Sequence, residues 1–129
     1  MTVESGAIVW LGRSLPLPPY AMNIHPATLN EALRAYVNTC PDRAQLAAYI
    51  ESHGLSESGE AIRAEMQTLI RTSESFLYDY PGGVRWNDAF KVEFRQHLEK
   101  AVPWLDSDSF DHMYLFAGWH CWHEGLNAG

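Results

Sequence analysis

The densest run of chemically able side chains lies near the end of the chain, where His120, Cys121, Trp122, His123 and Glu124 follow one another. Imidazole and carboxylate are reasonable zinc ligands, and residues three or four apart meet on one face of a helix. His120 and Glu124 stand four apart, and His123 is one turn from His120, so a helix here offers a pair of ligands. It does not offer three, because adjacent residues such as His123 and Glu124 point about 100° apart. A third would come from His53, His97 or His112. The order also departs from His-Glu-x-x-His, the arrangement metalloproteases use. Zinc or a small ligand held by His120, His123 and Glu124 is therefore the second functional expectation. Its aromatic pocket would be built from Trp86, Trp104, Trp119 and Trp122, and it is the version that allows an enzyme.

Nucleophilic chemistry is harder to build. His120 adjoins Cys121 but faces about 100° away on a helix, so the base would have to come from another element. Cys121 also falls on an apolar stripe, where thiols are usually inert. The sequence holds neither a Gly-x-Ser-x-Gly elbow nor a phosphate-cradling glycine loop.

These residues belong to the stretch Asp106 to Gly125, DSDSFDHMYLFAGWHCWHEG, which reads as one helix. Its opening aspartates suit the free N–H groups and positive end of a helix, and Gly125 suits a left-handed stop. Phe110, Tyr114, Ala117 and Cys121 form one stripe, and Leu115 with Trp122 a second. His112, Phe116, Trp119 and His123 form a third. A helix apolar on every side is normally central, so Phe110, Tyr114, Leu115 and Cys121 are expected in the core. The stripe carrying His112, Trp119 and His123 is the better candidate for a binding surface. Imidazoles are costly to bury without partners, and Trp is enriched at binding hot spots.

Four further helices must position this one. Pro26 begins a helix with Leu29, Ala32, Leu33, Tyr36 and Val37 on one side. A second follows Pro41 with Leu46 and Ile50 and stops at Gly54. A long third, capped by Ser56 or Ser58, runs through Ile62, Met66, Leu69 and Leu77 to Pro81-Gly82-Gly83. The fourth starts near Asn87, carries Phe90, Phe94, Leu98 and Val102 four apart, and is closed by Pro103. After Gly125 only a short Asn-Ala-Gly tail is read. Residues 1–25, with Pro16, Pro18 and Pro19, read as an extended arm packed on the body or, less simply, as a PxxP ligand. The fold class expected is all-α: a compact bundle of about five helices in a single domain, wrapped around the last, with an extended Pro-rich N-terminal arm.

Composition restricts the partners. Sixteen acidic against nine basic residues give a net charge of −7 in 129 residues, a field that repels nucleic acid and anionic membrane. Leu46 to Met66 has the helix–Gly–helix look of a helix-turn-helix, and its SESGEAIR portion is similar to the second half of ribbon-helix-helix antitoxins. Its turn, however, holds Glu57, Ser58 and Glu60 where phosphates would want Lys or Arg. No stretch approaches the ~20 apolar residues of a membrane span. Two cysteines and no secretory signal point to a cytoplasmic protein with reduced thiols.

The first functional expectation is accordingly a small acidic module that binds a protein with a basic surface, as an immunity- or antitoxin-like inhibitor of a basic toxin or nuclease would. Two acidic surfaces are available. One runs through Glu51, Glu57, Glu60 and Glu65, and the other is Asp106, Asp108 and Asp111 at the start of the last helix. Helix capping competes for the second, which leaves the first marginally preferred.

Overall fold

The computed structural model describes residues 24–128, so the Pro-rich arm and its PxxP run lie outside the described residues apart from Ile24 and His25. Five α-helices make up the described body: α1 (Pro26–Tyr36), α2 (Arg43–Ser52), α3 (Gly59–Asp79), α4 (Asp88–Ala101) and α5 (Ser107–Glu124). The all-α bundle expected from the sequence is the architecture found.

Local chemistry sets most of the boundaries. His25 Nδ1 accepts from the Ala27 N–H at 3.0 Å, and Pro26 occupies the first turn of α1. Asp42 caps α2 by accepting from the N–H groups of Ala44 and Gln45. Asn87 caps α4 through Phe90 N–H at 2.9 Å, and Asp106 caps α5 through Ser109 N–H at 2.8 Å. The expected serine cap of α3 is a correction. Ser58 makes no side-chain cap hydrogen bond, and a single 3₁₀ turn, Ser56–Ser58, leads into the helix instead.

Two short pairings were not foreseen. Val37–Asn38 and Cys40–Pro41 form a two-residue antiparallel pair that folds back about Thr39, whose φ is +82°. The tail beyond Gly125 is also tied down. Val84 donates to Leu126 O and accepts from Ala128 N–H, both at 2.9 Å. Gly83 permits this approach: its φ is +84°, and a Cβ there would lie 3.0 Å from the Ala128 Cα.

The core is aromatic on one side and aliphatic on the other. Phe90 and Phe94 of α4 stack at 5.6 Å, and Phe94 meets Phe110 of α5 at 5.8 Å. Leu33 of α1, Ile62, Met66, Leu69 and Leu77 of α3, Leu98 of α4, and Met113 and Phe116 of α5 are fully buried with them. α5 is a wall of this bundle and not its axis, which corrects the expectation that the other helices wrap it. Leu115, expected in the core, is 64% exposed, while Phe116 from the supposed surface stripe is buried.

Candidate functional site

The outer face of α5 follows from helical geometry. Asp108, Asp111, Leu115, Gly118, Trp119 and Trp122 fall within about 100° of one another around the axis. Opposite them Phe110, Met113, Phe116, Ala117, His120 and Cys121 are buried. The outer strip is therefore what remains once the bundle has covered the other side. Trp122 is 73% exposed, the most of any large apolar side chain among the described residues, with Leu115 next. Between them lies Gly118, where an added Cβ would meet nothing within 4 Å, so the strip has an open dent flanked by two large apolar groups. Trp119 closes one side, its indole stacked on the His123 ring at 5.0 Å and 6°.

The N-terminal end of the strip is acidic. Asp106 is committed to structure: it caps Ser109 and its carboxylate lies 3.6 Å from the Arg34 guanidinium. Burial pushes its carboxyl up, but hydrogen bonds from the Ser109 N–H and hydroxyl, together with Arg34, outweigh that and hold it below the usual range. Asp108 and Asp111 are exposed and have no salt-bridge partner among the described residues. One helix face thus runs from free carboxylates to exposed indole.

Other expected site residues fall elsewhere. His112 is part-buried, and its Nδ1 lies 2.9 Å from Val37 O, which ties the hairpin to α5. Glu65 is only 6% exposed, and its carboxylate accepts from the Trp104 indole N–H at 2.7 Å. It anchors the α4–α5 connection and cannot belong to an acidic surface, which is a second correction. Glu51, Glu57 and Glu60 remain exposed around the turn between α2 and α3.

The three residues considered for zinc have separate occupations. His120 is 7% exposed, packed between the Tyr78 ring edge and Phe116, and its Nε2 has no hydrogen-bond partner. Glu124 accepts from the Tyr78 hydroxyl at 2.6 Å, a bond that pushes the phenol pKa up. His123 lies on Trp119, with its Nε2 3.9 Å from Glu124. Among the described residues no group of three His, Cys, Asp or Glu side chains is placed to hold a metal ion.

The four indoles do not converge either. Trp86 packs on Phe90 and Tyr114 and donates to Asn127, Trp104 donates to Glu65, Trp119 stacks on His123, and Trp122 faces solvent. Cys121 is fully buried and burial pushes its thiol up to about 11, so it carries no thiolate at neutral pH.

Asn30 escaped notice in the sequence. It is 3% exposed, donates to Pro26 O and Trp104 O at 2.8 Å each, and accepts from Asp106 N–H at 3.0 Å. An Asn beside Leu29 on the inner side of an amphipathic helix was the available signal, because a buried amide requires partners. It sets where α5 begins relative to α1, and so orients the outer strip. No protein-family model, no curated protein and no solved structure matches the chain.

Proposed function

We propose that this protein is a binding module that docks through the outer face of α5 onto a protein with a basic surface. The observation that carries this is the alignment of exposed Leu115 and Trp122 with Asp108 and Asp111 on one helix face. Large apolar groups left in water beside an open dent are typical of an interface anchor. Unpaired carboxylates at one end and a net charge of −7 favour a cationic partner. A basic toxin or nuclease is the partner class that suits this charge best, with the chain acting as its immunity- or antitoxin-like inhibitor. The exposed free thiol of Cys40 agrees with a reducing, cytoplasmic setting.

The test uses a photo-cross-linking residue at Leu115, with one at exposed Thr68 of α3 as control. The species trapped only from Leu115 is identified, purified and titrated against the wild type, Trp122→Ala and the Asp108→Asn/Asp111→Asn pair. A basic protein whose binding weakens by about 2 kcal/mol, roughly thirtyfold in Kd, with Trp122→Ala supports the proposal. A cross-link to a second copy of the chain or to residues 1–23 would overturn it, as would an affinity that neither variant changes.

A further inference from the structure

A second site stands on different helices, where the end of α1 meets α2 and α3. A cleft of about 360 Å³ is lined there by Tyr36, Arg43, Leu46, Arg63, Met66 and Gln67. Leu46 and Met66 close its floor and are themselves buried, so the apolar surface open to a ligand belongs mainly to the side chains around them. Arg43 and Arg63 are exposed, and neither has a carboxylate within salt-bridge distance among the described residues. The Gln67 carboxamide oxygen is already engaged by Arg71 at 3.3 Å, which leaves its NH2 as the available group. Burial pushes the Tyr36 phenol above its ordinary pKa, with Arg43 working against this and Glu74 adding to it, so the hydroxyl keeps its proton. Every polar side chain lining the cleft can therefore donate a hydrogen bond, and two of the lining side chains are cationic, in a chain that is otherwise acidic.

We infer that this cleft binds a small organic monocarboxylate, with the carboxylate between Arg43 and Arg63 and a short apolar tail against the rest of the lining, above the floor that Leu46 and Met66 close. Guanidinium forks match a planar carboxylate through paired hydrogen bonds. The field of Glu74, which reaches Tyr36, and the negative net charge disfavour a more highly charged head such as phosphate. The tail follows from the lining: a carboxylate without one would leave the cleft's open apolar surface wet.

The experiment is a titration of the full-length protein, followed by backbone amide NMR, with hexanoate, acetate, hexanol and inorganic phosphate. Hexanoate should shift the amides around Tyr36, Arg43 to Leu46 and Arg63 to Gln67 saturably, at least about tenfold more tightly than the other three. Arg63→Gln and Arg43→Gln, both at exposed positions, should keep the spectrum of a folded protein and weaken hexanoate about tenfold each. Equal binding of hexanol would show that charge is not read, and equal binding of acetate or phosphate that the apolar lining is not. Either result overturns the inference, as does the absence of saturable shifts at these amides, or hexanoate binding that both variants leave intact.

Discussion

At the scale of single residues, the buried polar groups are more informative than the exposed ones. Asn30 joins α1 to the α4–α5 connection through one carboxamide, contacting Pro26, Trp104 and Asp106. Asn30→Ala would leave the Trp104 carbonyl and the Asp106 N–H buried without that partner. Urea denaturation should show a loss of about 2–3 kcal/mol, because the desolvation of unpaired groups adds to the lost bonds. A loss below about 0.5 kcal/mol would mean that water substitutes for the amide. Glu65 makes the same point in a charged group: sequence marks it as part of an acidic surface, yet it serves the indole of Trp104 inside. Neither role is legible from residue type, since both depend on a partner about 40 or more positions away in the chain.

At the scale of elements, α5 is legible in its ends and its period but not in its orientation. Asp106 and Gly125 bound it as the sequence expects, the glycine with φ at +72°. Its apolar residues occupy every side, so hydrophobic periodicity has no weak arc from which to name the inner face. This is why Leu115 and Phe116 exchange places between expectation and structure. The cap carries a pH dependence of definite sign. The Asp106 carboxyl lies below its ordinary value in the folded chain, so its stabilisation is complete above the unfolded carboxylate pKa and is lost as the pH falls through the lowered folded value. Asp106→Ala should therefore cost about 1 kcal/mol at neutral pH, and the difference from wild type should shrink in acid. Thermal melts of both proteins across the acid range check this, and a gap that widens in acid would contradict it.

For the whole molecule, charge and exposed apolar surface act over different distances. A net −7 field operates beyond contact range and is screened by salt, whereas Leu115 and Trp122 act only once touched. Association of the identified partner should slow by about tenfold or more as salt is raised well above physiological strength, with dissociation changing much less. Stopped-flow measurements on Trp122→Ala should show the reverse, a faster dissociation at nearly unchanged association rate. Salt-independent association with the partner would remove the charge from the account.

Sequence alone determined most of what is local in this protein, the 3₁₀ entry to α3 and the hairpin about Thr39 excepted. Helix spans, proline and glycine stops, and aspartate and asparagine caps are decided within a few residues, so Asp42, Asn87 and Asp106 act within one turn of where they stand. The all-α class followed from the same short-range rules. Tertiary structure alone decided which arc of α5 meets solvent, that Glu65 turns inward and His112 meets the hairpin, and that Arg43 and Arg63 share a cleft. Those outcomes rest on packing between segments far apart in the chain. An all-round apolar helix is consistent with several such packings, and only the closed core selects among them.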